Sequence, residues 1–449
     1  MHDSADIAHE NQSSVIWVGY TYDYREGGPK LKRVAQTMAR ELKQTHSETR
    51  VILQELNSKR EFVDAMTSIP ENALQTLHFI GHSGMYGPMF GTTNLPEQFS
   101  PHEWRSMKIP FALNGAEAYF HACRTGRWFA AFFAQTFGVS TYGYHWYTTF
   151  SRDPEMFHWE GVRGVPDDAP LYMRGCPGKK SHGIWAGLKK YLGHVALEQP
   201  KRFDPPKTLE DSSYDPVAER YAQVFEDIKV RRDEWRWVSA HLEDLGEELN
   251  VLDIGCGNGA LLDALSGRIT SGAGVDVSQQ MISHAQERHS TQEHLSFTHI
   301  EGPSLPFEDD HFDVVISFLS FRYLDWDPLM REVVRVLKPG GRLLVVDMVT
   351  APLRLNEVPL LLRSKWTYER VKREHPVFYE RLQSLVRTPE WRQMLRYNPI
   401  RSEHEMTWYL ESRFSGQRVE VINVGWHNRV LAFDSGPIWS DYIAPQSYP

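Results

Sequence analysis

The chain has 449 residues, too many for one ordinary hydrophobic core, so two or more domains are expected. Apolar residues make up 41% and charged residues 24%, the composition of a folded globular protein with no sign of general disorder. A formal net charge of −9 argues against a binder driven to nucleic acid by charge. No apolar run approaches transmembrane length, and the polar start Met1-His-Asp-Ser-Ala-Asp is unlike a signal peptide. No membrane partner is therefore expected. The three cysteines, Cys123, Cys176 and Cys256, are too few and too far apart for a disulfide framework, which suggests a reducing cytoplasm. No Cys/His spacing resembles a zinc site, so no metal is expected.

In chain order, Val15-Ile-Trp-Val18 reads as a buried strand, and Leu31, Val34, Met38 and Leu42 fall on one helix face. Val51–Leu53 and Leu77–Ile80 are further strands, the second running into Gly81-His-Ser-Gly84. Ala118–Phe120 runs into His121-Ala-Cys-Arg-Thr-Gly126, followed by an apolar helix (Trp128, Phe129, Phe132, Phe133, Phe137) and a strand at Ser140–Tyr144. Strands alternating with helices indicate a mainly parallel sheet with helices on its faces. His82 and Cys123 each sit just past a strand, where side chains of neighbouring parallel strands converge. A neutral imidazole there can take the proton of a thiol, and turn N–H groups can stabilise an oxyanion.

Residues 196–213 are rich in Pro and charge and read as a linker, with a helical stretch from Tyr214 to about Leu245 beyond it. Val251-Leu-Asp-Ile-Gly-Cys-Gly-Asn-Gly-Ala260 then reads as strand, tight turn and helix. Its glycines let a backbone approach a ligand closely, and the following helix offers unpaired N–H groups. Asp276 ends the next strand, where a carboxylate can take both hydroxyls of a ribose. Gly255-x-Gly257-x-x-Ala260 with Asp276 also satisfies the loose dinucleotide fingerprint, so a nicotinamide reading stays open on these residues alone.

Three further segments narrow it. Asp253 stands two residues before the first glycine, where a carboxylate can answer an ammonium. Glu301-Gly-Pro-Ser-Leu-Pro-Phe307 precedes a strand at Phe312–Ser317, and Val336-Leu-Lys-Pro-Gly-Gly closes a helix and opens a strand ending at Met348. Over roughly residues 214–350 this succession resembles the class I S-adenosylmethionine-dependent methyltransferases, in particular the small-molecule branch. The resemblance implies a Rossmann-like fold and S-adenosylmethionine as cofactor. It places Asp253, Gly255 and Gly257 on the methionine side, Asp276 at the ribose, Glu301 at the adenine amino group, and Ser317 and Tyr214 beside the cofactor. Asp is the more usual residue at the position of Glu301. After Met348 the chain turns helical and aromatic over about 352–412, either a lid over the acceptor or a helical subdomain that only covers the sheet edge, before strands at Val419–Val424 and Arg429–Phe433. Ser320-Phe-Arg-Tyr-Leu-Asp325 offers Arg322 to hold an acidic acceptor and Tyr323 to orient one, but no recognisable general base.

Over roughly residues 75–150 the order of His82 and Ala122-Cys-Arg-Thr-Gly126 resembles the caspase-like cysteine peptidases, especially the CHAT branch. The resemblance implies a caspase-like α/β fold for residues 1–195, with Cys123 as nucleophile and His82 as proton acceptor. One departure is Ser83 directly after the histidine, where the family usually has glycine. Residues 214–449 would form the methyltransferase with its helical lid. Three functions follow. The chain methylates a small molecule or peptide-derived intermediate, with the first domain as a recognition or homodimerisation module. Alternatively it is bifunctional, with Cys123 and His82 cleaving a peptide or acyl bond. In the third, the first domain is a non-catalytic protein-binding module that recruits the methyltransferase.

Overall fold

Two compact units divide the chain, Met1–Leu209 and Glu210–Pro449, each built around its own sheet. The computed structural model describes residues 14–157, 169–176, 196–207, 214–246, 248–398 and 400–439.

In the first unit, β1 (Val15–Thr21) is buried at every position, as an apolar strand covered on both faces must be. It pairs in parallel with β2 (Arg50–Leu56) and β3 (Leu74–Ile80). Short antiparallel pieces follow at β4 (Ser83–Gly84), β5 (Gly87–Gly91) and β6 (Pro96–Gln98). The main sheet continues outward from β3 through β7 (Glu117–His121) and β8 (Ser140–Gly143), both parallel. β9 (Thr148–Ser151) and β10 (Tyr172–Gly175) form a separate pair, and β11 (Lys201–Phe203) closes the main sheet antiparallel to β8. The order β11-β8-β7-β3-β1-β2 reverses direction between β1 and β3. Helices α1 (Gly28–Thr45), α2 (Lys59–Thr67), α3 (Pro101–Ser106) and α4 (Phe129–Phe137) complete the unit. Trp17, Phe62, Phe79, Trp104, Phe120 and Phe133 belong to one apolar cluster, and Ile16, Val18, Leu31, Val34 and Ile80 to another.

Part of the stretch expected as a linker is a strand. β11 lies inside 196–213, and its Lys201 and Arg202 are exposed. Charged residues are the usual protection of a sheet edge, so composition alone mistakes an edge strand for a linker.

The second unit carries seven strands: β12 (Leu249–Ile254), β13 (Ile269–Asp276), β14 (Leu295–His299), β15 (Phe312–Phe318), β16 (Leu337–Thr350), β17 (Glu420–Val424) and β18 (Asn428–Asp434). Their order is β14-β13-β12-β15-β16-β18-β17, parallel through β16, with β18 antiparallel to both its neighbours. The fold is mixed α/β and Rossmann-like, with its switch point between β12 and β15, the place where open α/β sheets generally bind ligands, at the strands' carboxyl ends. Helices α5 (Ala218–Val224) and α6 (Arg232–Leu245) precede the sheet. Within it come α7 (Ala260–Leu265), α8 (Gln279–Arg288) and α9 (Trp326–Val336).

Four helices fill the expected insertion: α10 (Val358–Glu374), α11 (Pro376–Val386), α12 (Pro389–Tyr397) and α13 (Glu403–Arg413). Prolines set the breaks. His375 precedes Pro376 and leaves the helical region, and Thr388 caps α12 by accepting a hydrogen bond from the Trp391 N–H.

Candidate functional site

At the carboxyl end of β12 the chain turns through Gly255 (φ +75°) and Gly257 (φ +54°), backbone that side-chain-bearing residues rarely adopt. The two glycines have different reasons. A Cβ on Gly255 would meet the Ser320 Cβ at 2.3 Å, so β15's following turn packs directly on it. A Cβ on Gly257 would meet only Tyr221 Cε1, at 3.8 Å, which leaves open space above that amide.

Two carboxylates lie beneath this turn. Asp276, ending β13, accepts from the Gly257 N–H and the Ser278 N–H, each at 2.9 Å. Burial still holds its pKa above the ordinary value, with those bonds opposing. Asp253, in β12, is 2% exposed, and its Oδ1 has no hydrogen-bond partner among the described residues. Burial, then the nearby Asp276 charge, pushes its pKa up to about 8. An unpaired buried carboxylate is costly, and a bound ammonium would remove the cost. The unpaired Asp253 oxygen therefore fits the ammonium at the amino-acid end of S-adenosylmethionine. Glu301, just beyond β14, is exposed beside this edge, where Ile300 N–H donates to the Asp276 carbonyl at 3.0 Å.

Ser317, expected beside the cofactor, lies buried behind the glycine turn. It is 1% exposed, and its hydroxyl lies 2.8 Å from the Ser320 hydroxyl, which donates to the Ile254 carbonyl at 2.6 Å. The pair ties β15 to the glycine turn.

Aromatic rings close over the turn. Tyr214 meets Tyr221, Tyr323 and Trp391 edge-on, at 5.8, 5.7 and 6.4 Å between centroids, and Trp391 stacks on Tyr221 at 6.3 Å. Burial, then the neighbouring Tyr323, holds the Tyr214 phenol well above its usual pKa, so it stays protonated at neutral pH. Asn258 fastens α5 to the turn by donating to the carbonyls of Ala222 and Phe225 at 3.1 and 3.2 Å.

Arg322 is neither solvated nor free to meet an acidic acceptor. It is 8% exposed and forms a close ion pair with Asp347, which also accepts from the Arg322 backbone N–H. Burial alone would lower the guanidinium pKa, but Asp347 and Tyr323 more than offset that. Its charge is opposed by Asp347, its buried Nε has no hydrogen-bond partner among the described residues, and its Cζ lies 4.4 Å from the centre of the Tyr323 ring. Asp347 was not singled out from sequence, although one acid in Leu-Leu-Val-Val-Asp-Met was a readable sign of a buried partner. Trp391, in the third helix after β16, carried no such sign.

In the first unit, His82 follows β3 and Cys123 follows β7, on adjacent parallel strands. His82 Nε2 lies 3.1 Å from the Glu26 carbonyl, so that nitrogen carries the proton and Nδ1 keeps its lone pair. Burial lowers the imidazole pKa, opposed by the Glu26 bond. Cys123 is half-buried, and its Sγ is 3.3 Å from both the Thr148 N–H and the Thr148 hydroxyl. No hydrogen bond joins Cys123 to His82 among the described residues. Ser83 donates its hydroxyl to the Cys123 carbonyl, fixing the two strand-end turns to each other. Cys176 and Cys256 are buried.

Comparison with known proteins places the second unit. Residues 252–345 match the family described as "Methyltransferase domain". Methyltransferase GfsG of Streptomyces halstedii is 36% identical over 143 residues, covering 31% of this chain and 48% of that protein. The chain thus spans about half the length of that relative. Demethylmenaquinone methyltransferase of Staphylococcus aureus is 26% identical, over 46% of this chain and 90% of that protein. A solved S-adenosylmethionine-dependent methyltransferase from Aquifex aeolicus aligns with 44% of this chain and 88% of its own at 21% identity, with a TM-score of 0.30.

Proposed function

Taking a class I S-adenosylmethionine-dependent methyltransferase domain in the C-terminal half as the premise, we propose that the protein methylates a small molecule or peptide-derived intermediate. The observation that carries the reading is Asp253, a buried carboxylate with an unpaired oxygen beneath the glycine turn and beside Asp276. When bound, S-adenosylmethionine supplies an electrophilic methyl group. Asp253 then pairs with an ammonium, Asp276 holds the ribose, Glu301 lies at the adenine edge, and Gly257 allows close approach. Tyr214, Tyr221 and Trp391 exclude water, and Tyr323 orients the acceptor.

Methyl transfer from a sulfonium requires alignment and a dry site more than a strong base. Nothing on the aromatic side contradicts that requirement. Tyr214 remains protonated, and Arg322 is neutralised by Asp347. The acceptor must arrive as a competent nucleophile, and an uncharged one suits these surroundings better than an acid. S-adenosylhomocysteine should bind by calorimetry, and Asp276→Ala should weaken that binding at least about tenfold through loss of charged hydrogen bonds. No binding by the parent protein, or equal binding by the variant, removes the reading.

A second reading assigns Cys123 and His82 to a caspase-like domain that cleaves a peptide or acyl bond. In its favour are the adjacent parallel strand ends and the bare His82 Nδ1 that the Glu26 bond leaves. Against it stands the engagement of the sulfur by Thr148. An electrophilic thiol probe should label Cys123, with slower labelling in His82→Ala. An unreactive Cys123 leaves the first unit as a recognition, homodimerisation or recruitment module, without nucleophilic chemistry.

A further inference from the structure

The outer face of α10 is an exposed apolar surface that the proposed chemistry does not use. Leu361 is the one fully buried residue of this helix, while Leu362 and Trp366 are 62% and 65% exposed. Val358, Leu362 and Trp366 recur every four residues and so line one side of the helix, with exposed Leu355 just before it. Trp426, in the turn between β17 and β18, is 57% exposed, and the Lys365 ammonium lies 5.0 Å from its ring. Isolated exposed apolar residues are ordinary, but a run of them including two tryptophans marks an interaction surface.

Charge identifies what covers it. Residues 210–449 carry 26 Lys and Arg against 37 Asp and Glu. Within them, residues 358–397 reverse the balance, with nine Lys and Arg against four acids. Arg363, Lys365, Arg370 and Arg373 are exposed around the apolar stripe. Two of these side chains lie over rings, Lys365 at Trp426 and Arg370 at Trp366. Residues 1–209, with 23 basic and 21 acidic residues, have no acidic excess, and a twofold self-contact would set this basic face against its own copy. An anionic lipid surface satisfies both the apolar stripe and its basic surround.

We propose that α10 and the Trp426 turn dock the protein on an anionic membrane surface, with Leu362, Trp366 and Trp426 entering the headgroup boundary. Among the described residues no helix is long and apolar enough to cross a membrane, but a helix lying in the interface needs no spanning run. The expectation of no membrane partner followed from the missing span and the polar start, neither of which bears on a helix lying in the interface. Basic residues near an anionic surface add attraction that salt screens, while the apolar stripe sets depth. The inference does not depend on methyl transfer, because it is read by binding.

The full chain should co-sediment with vesicles of phosphatidylcholine mixed with phosphatidylglycerol, and much less with phosphatidylcholine alone or at high salt. Leu362→Asp with Trp366→Asp should weaken that binding roughly tenfold or more, since both are exposed and their loss leaves the fold intact. Circular dichroism checks the fold, and S-adenosylhomocysteine binding should be unchanged. Arg363→Glu with Lys365→Glu should weaken binding and flatten its salt dependence. Absence of co-sedimentation, or equal binding by the Leu362/Trp366 variant, overturns the proposal. So does a dimer in sedimentation velocity that the same variant dissociates, because a second copy would then be the occupant.

Discussion

At the scale of single residues, Asp253 and Asp347 show how one chemistry serves two ends. Both are buried carboxylates at the crevice edge of the second sheet. Asp347 has its cation, Arg322, within the protein; Asp253 has none for its Oδ1. The difference makes the first structural, while the second is the carboxylate on which the proposed cofactor site rests. It also has a pH signature. A carboxyl whose folded pKa is raised stabilises the fold in its protonated form. That contribution is complete below about pH 4, the unfolded value, and is lost as pH rises through the folded value near 8. Asp253→Asn should therefore raise the Tm of the ligand-free protein at pH 8.5 and leave it nearly unchanged at about pH 4, the gap corresponding to a few kcal/mol. A Tm difference independent of pH would mean that Asp253 is ionised and satisfied without ligand. The sequence marked Asp253, Gly255, Gly257 and Asp276 correctly as neighbours because one short segment and one strand end suffice to gather them. It did not disclose that the Ser317 hydroxyl meets Ser320, because a hydroxyl's partner depends on the turn that follows.

At the scale of elements, the aromatic cluster beside the glycine turn is made of two pieces far apart in the chain. The segment from Tyr214 through α5 supplies one wall, and α11 and α12 supply the other. Arg381 donates to the Gln223 carbonyl at 2.9 Å, while Phe378, Leu382 and Trp391 pack with Val217, Val224 and Phe225. The sequence disclosed a helical, aromatic stretch, but neither its division into helices nor that α11 and α12 reach back to α5. Trp391→Ala removes a stacked and an edge-on partner, contacts worth about 0.5–1.5 kcal/mol each. S-adenosylhomocysteine should bind about 2- to 10-fold more weakly and dissociate faster in stopped-flow measurements. Unchanged kinetics with a lowered Tm would reduce Trp391 to packing.

At the scale of the whole molecule, every apolar cluster among the described residues draws its members from one unit only. Two cores of this kind melt as separate cooperative blocks. Scanning calorimetry should resolve two transitions, and S-adenosylhomocysteine at about 100 times its Kd should stabilise one of them by about 2.7 kcal/mol. A single transition moved as a whole by the ligand would argue for one integrated enzyme. Charge is divided as unevenly as the cores, since the acidic excess lies entirely in residues 210–449. The chain's total of −9 conceals the basic insertion within that half.

The sequence by itself determined the two sheets, the glycine turn, the pair of carboxylates and the class of cofactor, because each is written in local periodicity or in a motif of a few residues. Only the tertiary structure decided that Arg322 is silenced by Asp347, that Thr148 takes hold of the Cys123 sulfur, and that 201–203 is an edge strand. It alone decided, too, which apolar side of α10 stays bare. These are outcomes of long-range packing, where a residue's role is set by neighbours that chain position does not name.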